Sequence, residues 1–415
     1  MAKLPKFTVQ VGGVELSRIT SLSLRISMTE FADSFSVSCA DRLALGQEGQ
    51  RVEITVEGRL VLVGEIMTED VDKSAGKRDS SYTGFSAAQR LVKSSYTGKR
   101  RLRDLSLLQI VERVVEPFDL VVDVDASATE IANLPIEKVS ADNGTTAFAF
   151  IAEVAKRQGC ILLSGAATVS DTEPAKSAIL ITRAAVKKAP YVITYPHARV
   201  LGLRYSNDIR DVYSDYIVTR RGGGTLSSDG TVAGLEGLAF DDLPYSPFVI
   251  QAEQGGNTQE ELDRQAEWEM RKRSAEGKRV SILFDGWSPN NSQALWWPNL
   301  IWRLVDTDDA VDSEFVLASV ELSVDTGGSR AQLEFLPPDA YAILHEPTKK
   351  RRKPGAKDPA KGLIKTANLL GSPVVDLLQS IANVTVKTLT NVGEAVPVDL
   401  SKVNAAIAKP EDPNA

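Results

Sequence analysis

Over the first ninety residues, apolar and polar side chains alternate. Leu22, Leu24 and Ile26 are separated by serine and arginine, and Phe35 and Val37 continue the period. A period of two puts the apolar set on one face of a pleated strand. In RVEITVEGRLVLVGEIMTEDVD the alternation runs on both sides of Glu57–Gly58, which predicts a hairpin turning there. Residues 82–85 predict a further strand.

The period then lengthens. In RDLSLLQIVERVVEPFDL, Leu108, Val111 and Val115 share a helical face; Asp104 is the candidate N-cap, and Pro117 ends the run. A second helix is predicted in DNGTTAFAFIAEVAKRQGC, with Asn143 or Thr145 capping its start and Gly159 its end. Strand-like runs follow at 160–163 and 178–182. Strands resume at 200–205 and 213–219, before the Gly/Ser-rich stretch RRGGGTLSSDGTVAGLEG, which reads as a long loop. The segment GGNTQEELDRQAEWEMRKRSAEGKR opens a strong helix. Thr258 and Glu261 have capping-box spacing, and Gly277 closes the run. Further strands are predicted at 280–284, 300–305, 315–324 and 331–335.

After Pro337–Pro338 the composition shifts. HEPTKKRRKPGAKDPAKG is basic and Pro/Gly-rich, as a linker would be, and the stretch beyond it has patchy amphipathic helix character. The last residues, KPEDPNA, read as disordered. The expected organisation is a β domain over 1–97, a small α+β domain over 98–190, and a second β domain over 191–340 carrying a long loop at 220–257. A basic linker at 341–362 and a C-terminal extension at 363–415 complete it. The class is α+β, rich in β.

With 415 residues the chain exceeds one compact core. Apolar residues at 43% and charged residues at 25% are ordinary for folded protein, so most of the chain can bury a core. A net charge of -7 argues against a dedicated nucleic-acid binder, which needs a concentrated basic face. Cys39 and Cys160 sit in apolar contexts and read as buried free thiols in a reducing compartment. No run reaches the roughly 18 apolar residues of a membrane span. The N-terminus enters a strand pattern without an apolar signal core, as in a chain folded in a cytoplasm.

Catalytic chemistry finds little support. Neither His197 nor His345 has a Ser or Cys in a nucleophile context, and both read as loop residues. The acidic run from Asp306 to Glu314 fails as a calcium loop. Counted from Asp306, the sixth position is Val311 where glycine is needed, and the twelfth is Leu317 where a bidentate Glu is needed. It reads as a solvated hairpin loop. Gly222–Gly224 lacks the following GK[ST] and helix that a phosphate cradle requires. The basic clusters Lys99–Arg103 and Lys349–Lys353 lack the interleaved aromatics of single-strand binders. No carboxylate pair stands out as a glycosidase would need. No catalytic residue, cofactor or metal is assigned.

One segment carries a resemblance: DGWSPNNSQALWWPNLIWRLVDTDDAVDSEFVLASVELSVDTGGSRAQLEF, from Asp285 to Phe335. It resembles the late part of baseplate hub proteins of Mu-like contractile-tailed phages, with DGW, a polar turn, LW-x-PNL, an acidic loop, a strand and a last hairpin. The resemblance extends upstream through RDVYSDYIVTR, the Ala/Arg-rich helix entering DGW, TTAFAFIAEVAKRQGCILLS and the hairpin EITVEGRLVLVGEI, covering about residues 7–340. The tail after Pro338 departs from it.

The resemblance implies two tail-tube-like β-barrel domains flanking a small α+β domain. It further implies a homotrimer with pseudo-sixfold symmetry, joining a hexameric tail tube to a trimeric central spike in the virion. Three copies with two tube-like domains each offer six similar surfaces on one side and true threefold symmetry on the other. Tail tube protein and central spike protein are the implied partners, with baseplate wedge or tape-measure proteins as further ones. DNA is passing cargo, since an acidic lumen would not bind phosphates. Two alternatives stay open: a tail-associated enzyme degrading peptidoglycan, and the same hub in a genome-free contractile device (a tailocin).

Trp287, Trp296, Trp297 and Trp302 cluster in sequence. Trp287 and Trp302 are expected in the core. In an extended segment neighbours face opposite ways, so one of Trp296 and Trp297 is the expected interface residue. In the extension, Leu369, Leu370, Val374, Leu377 and Leu378 are expected to dock a helix over 363–390 onto a neighbouring tail protein.

Overall fold

The computed structural model describes residues 5–40, 47–74, 77–168, 174–219, 236–252, 259–289 and 294–341. Everything below concerns these residues.

The alternating N-terminal pattern folds as expected. Strands Phe7–Val11, Ile19–Ser27, Ser34–Cys39, Arg51–Val56, Arg59–Ser74 and Lys77–Ser86 pair antiparallel. Every second residue of Ser34–Cys39 and of Arg51–Val56 is buried. Glu57 and Gly58 turn the hairpin with φ of 49° and 78°. Positive φ at both turn positions matches the right-handed twist of the flanking strands, and Gly58 adopts it without steric cost.

The middle block packs helices Leu107–Val115 and Ala147–Arg157 against two small sheets. Strands Arg101–Ser106 and Pro135–Ser140 form one sheet. The other is Ile161–Ala167, Lys176–Thr182 and Val121–Val124, the last pairing parallel. Ile110, Val111, Val114, Phe150, Ile151, Ile179 and Ile181 fill its own core. Both helix starts differ from expectation by a few residues. Asp104 lies in a strand at φ 53°, and the cap is Ser106, whose side chain and that of Gln109 complete a capping box. The second helix is capped by Thr146, not Asn143 or Thr145; its hydroxyl accepts the Ala149 N–H at 3.1 Å. In each case a hydroxyl that reaches the third helical N–H prevails over its polar neighbours. Gly159, at φ 68°, terminates the second helix as expected.

Strands Lys187–Tyr195, Val200–Asn207, Lys278–Asp285, Leu300–Asp306, Val311–Asp325 and Gly328–Leu336 form the late strand-rich region. It is not separate from the first. Val311–Asp325 pairs antiparallel with Ile19–Ser27, placing Ile26 opposite Val320, Leu24 opposite Leu322 and Leu22 opposite Val324. The two regions therefore share one sheet and one buried core, which runs from Val9 and Ile54 to Leu304 and Phe335.

A small satellite contradicts the expected long loop at 220–257. Glu236–Phe240 and Pro247–Gln251 are strands, flanking Asp215–Thr219 antiparallel and parallel respectively. Tyr216, Val218 and Ala239 face helix Gln259–Glu276 and meet Leu262 and Ala266. Gly237 permits this approach, because a Cβ there would lie 2.1 Å from the Leu262 carbonyl carbon. The strands escaped sequence reading because each is five residues long and bounded by Gly, Pro and Ser, which read as loop. Thr258, the expected cap of the helix, lies outside the described residues.

Candidate assembly surfaces

The tryptophan cluster sits where the late strands close over the shared core. Trp287 is buried and its indole donates to the Ser323 carbonyl at 2.8 Å. Trp302 is buried too, so both expected core tryptophans lie there. Trp296 is 1% exposed, with its ring 4.7 Å from Trp302 and edge-on to Phe284 at 5.0 Å. Its backbone N–H donates to the Trp287 carbonyl at 3.1 Å, which folds this non-strand segment back onto the core. Trp296 therefore offers no surface to a partner. Trp297 is half-buried at the margin of the same core and keeps accessible surface.

Arg199 holds this corner together. Its guanidinium lies 4.6 Å from the Phe284 ring centre and donates to the carbonyls of Asp285, Ser288 and Pro289 at 2.8 to 3.3 Å. Burial lowers its pKa from the ordinary value. Two donors nearby stay unmatched: Nε1 of Trp296 and Nε1 of Trp302 are buried without a hydrogen-bond partner among the described residues. An unsatisfied buried N–H costs about 1–3 kcal/mol. Both indoles wall a cavity of about 90 Å³ together with Val192, Ile193, Val200 and His197.

The chain also carries two exposed apolar regions among the described residues. Lys187–Tyr195 pairs only with Leu300–Asp306, and Val200–Asn207 only with Lys278–Asp285, so each leaves one edge unpaired among the described residues. Tyr191, Val192, Leu201 and Tyr205 lie exposed along them. Such edges invite pairing with another chain unless something covers them. The second region is the outer face of the satellite sheet. Ile217 stands between Leu238 and Val249 in register, and Val249 and Phe240 are 60% and 65% exposed. Sequence reading missed these residues; the alternation in EGLAF and PFVIQ was the available signal.

The acidic run is a hairpin turn closed on itself. Asp306 is buried and accepts the N–H groups of Asp308 and Asp309 at 3.0 and 3.4 Å. Tyr205 donates its hydroxyl to Asp306 at 3.0 Å; burial, reinforced by that bond, raises the Tyr205 pKa. Arg303 pairs with Asp312 at 2.7 and 2.6 Å across the hairpin. Among the described residues no group of three or more His, Cys, Asp or Glu is placed to hold a metal ion. Nor is any helix long and apolar enough to cross a membrane. His197 follows the cis Tyr195–Pro196 bond in an exposed loop, its Nδ1 accepting the Arg199 N–H at 3.2 Å. His345, the Lys349–Lys353 cluster and Leu369, Leu370, Val374, Leu377 and Leu378 lie outside the described residues.

Comparison with known proteins places this geometry. Residues 258–344 match the family model of the fourth domain of the Mu phage baseplate assembly protein GpP. Residues 88–167 match the second domain of gp44-like baseplate hub proteins. No curated protein matches the chain. Among solved structures, a 43 kDa tail protein of prophage MuSo2 from Shewanella oneidensis is similar, with 21% identity and a TM-score of 0.67 over 81% of this chain and 99% of that one. A tail protein from Neisseria meningitidis MC58 is similar at 19% identity and a TM-score of 0.64, with the same coverage. Prophage tail protein gp18 from Listeria monocytogenes EGD-e matches at 8% identity and a TM-score of 0.50, over 88% of this chain and 99% of that one. Both families are structural baseplate proteins. Two segments of this chain thus match baseplate-protein domain families, and its fold is similar to that of Mu-like prophage tail proteins.

Proposed function

We propose that the chain is the structural hub of a contractile-tail baseplate. Three copies close into a ring with pseudo-sixfold symmetry, joining a hexameric tail tube to a trimeric central spike and forming part of the conduit through which DNA passes. The observation that carries this reading is the seam between Ile19–Ser27 and Val311–Asp325. It joins two strand-rich regions, each with six strands longer than two residues, into one sheet. A ring of three such chains presents six strand-rich units on one side while keeping threefold symmetry on the other. The unpaired edges at Lys187–Tyr195 and Val200–Asn207, with Trp297 nearby in sequence to the late strands, are the surfaces that neighbouring copies or tail proteins would cover.

Residues 363–415 extend the reading. Leu369, Leu370, Val374, Leu377 and Leu378 dock them onto a neighbouring tail protein, a wedge or tape-measure component among the choices. Deleting residues 345–415 is expected to block tail assembly, scored as sedimenting particles in an infected or induced lysate. Normal tails from the truncated chain would refute the docking role. The oligomeric claim is tested by light scattering of the purified chain and by electron microscopy of assembled tails, where a trimeric ring is expected.

A further inference from the structure

The register of the satellite sheet fixes its outer face. Leu238 and Val249 flank Ile217, Phe240 and Pro247 flank Asp215, and Glu236 and Gln251 flank Thr219. Tyr216, Val218 and Ala239 point the other way, into the core beneath helix Gln259–Glu276. Leu238, Phe240, Val249 and the neighbouring Tyr245 are exposed. Residues 213–219 and 236–252 add Asp215, Glu236, Asp241 and Asp242, and no lysine, arginine or histidine. Arg271 and Lys278 meet this face at its Phe240 margin, where Asp241 and Asp339 share their cavity. The opposite charge stands on the two-stranded ribbon of Arg101–Ser106 and Pro135–Ser140. Leu102 and Val139 face the core of the middle block, while Arg103 sits directly opposite Lys138, and Arg101 opposite Ser140. Like charges placed opposite each other destabilise a strand pair. With Lys99 and Arg100 they make five exposed cations against Asp104 and Glu137, and none of the five forms an ion pair among the described residues. The two surfaces belong to different ends of the shared sheet. The helix that carries the satellite packs on Lys278–Asp285, beside the edge strand Val200–Asn207; the middle block packs on Arg59–Ser74, toward the other end.

We propose that the outer face of the satellite sheet seats on the basic ribbon of the next copy of this chain, head to tail. This rests on the reading that copies of the chain close on one another, and names the surfaces that meet. A twofold pairing of satellite on satellite sets carboxylates against carboxylates, which like-charge repulsion opposes. A head-to-tail contact sets them against unpaired cations, and repeats around a closed ring. The alkyl stems of Arg101, Arg103 and Lys138 cover the aliphatic row of Leu238, Ile217 and Val249, while their charged heads reach the carboxylates at its margin.

The test is a site-specific cross-link in the full-length chain, purified and in assembled tails. Val249, exposed on the outer face, is replaced by the photo-reactive residue p-benzoylphenylalanine, and cross-linked peptides are identified by mass spectrometry. The expected product joins position 249 to residues 99–103 or 135–140 of another copy. Arg101→Glu with Arg103→Glu is expected to lower its yield about tenfold, as is Glu236→Arg with Asp242→Arg. All four positions are exposed, so the fold is kept. Mixing the two double variants is expected to restore the cross-link, because each supplies the charge that the other lost. No restoration, or a cross-link that runs to another protein or to another part of the chain, overturns the proposal. So does duplex DNA retained by the parent chain and released by Arg101→Glu with Arg103→Glu while the cross-link persists, since the ribbon then serves phosphates. A trimer without the cross-link leaves the ring standing and removes this contact; the cross-link in an assembly that is not a trimer keeps the contact and removes the ring.

Discussion

At the scale of single residues, the buried polar groups carry the sharpest consequences. Asp33 is buried, and its backbone carbonyl accepts the Ser86 N–H at 2.7 Å. Burial pushes its carboxyl well above the usual range, and hydrogen bonds from the Ser164 side chain and the Ser27 backbone only partly oppose this. The folded chain therefore keeps this proton at pH values where an ordinary carboxyl, near about 4, has released it. Stability contributed by the protonated group is present at low pH and lost as pH rises above that value. Asp33→Asn keeps the shape and cannot ionise. Its melting temperature is expected to exceed that of the parent by a margin that grows between pH 4 and 8; a constant margin would mean the carboxyl is not the titrating group. The cysteines give a second check. Both are buried, and burial pushes the Cys160 thiol up to about 11. At pH 8 a disulfide reagent such as DTNB is expected to leave the folded chain unreacted and to titrate both thiols after denaturation. Burst reaction of the native chain would contradict this. The buried state of both cysteines was legible in FSVSCA and GCILL. The burial of Trp296 was not, since it depends on a backbone bond to Trp287 nine residues away.

At the scale of elements, local pattern carried most of the information, and long-range pairing carried what it could not supply. The hairpin at Glu57–Gly58 and the helices of the middle block follow from period and cap chemistry, and the helix Gln259–Glu276 ends just before Gly277, as expected. Cap positions slipped by a residue or two because several hydroxyl and carboxylate side chains crowd each helix start. The satellite strands were hidden by their length and by glycine and proline. The seam between Ile19–Ser27 and Val311–Asp325 spans nearly three hundred residues of sequence, and no local signal could announce it. It is also the pairing that joins the two strand-rich regions into one sheet. Leu24 and Leu322 face each other there, fully buried. Leu322→Ala is expected to cost about 2–5 kcal/mol in urea unfolding. Leu24→Ala is expected to cost a similar amount, with the double variant departing from additivity because the two side chains share one site. Strict additivity would place them in independent cores.

At the scale of the whole molecule, the strand-rich regions are one sheet with a helical block inserted between them in sequence and a small satellite on the late side. The resemblance to Mu-like baseplate hubs lay in the order DGW, LW-x-PNL, acidic loop and closing hairpin; the family match at 88–167 falls within the span it covered, and the match at 258–344 runs four residues past its end. What one chain cannot display is its copy number, because symmetry is a property of the contacts between chains. The measurement that reaches the central claim most directly is a cryo-electron microscopy map of assembled tails containing this chain. Three copies in a closed ring between the tube and the spike, each contributing two strand-rich units to a sixfold-like face, is the predicted result. Six copies stacked as an ordinary tube ring, or a position away from the tube–spike junction, would contradict it.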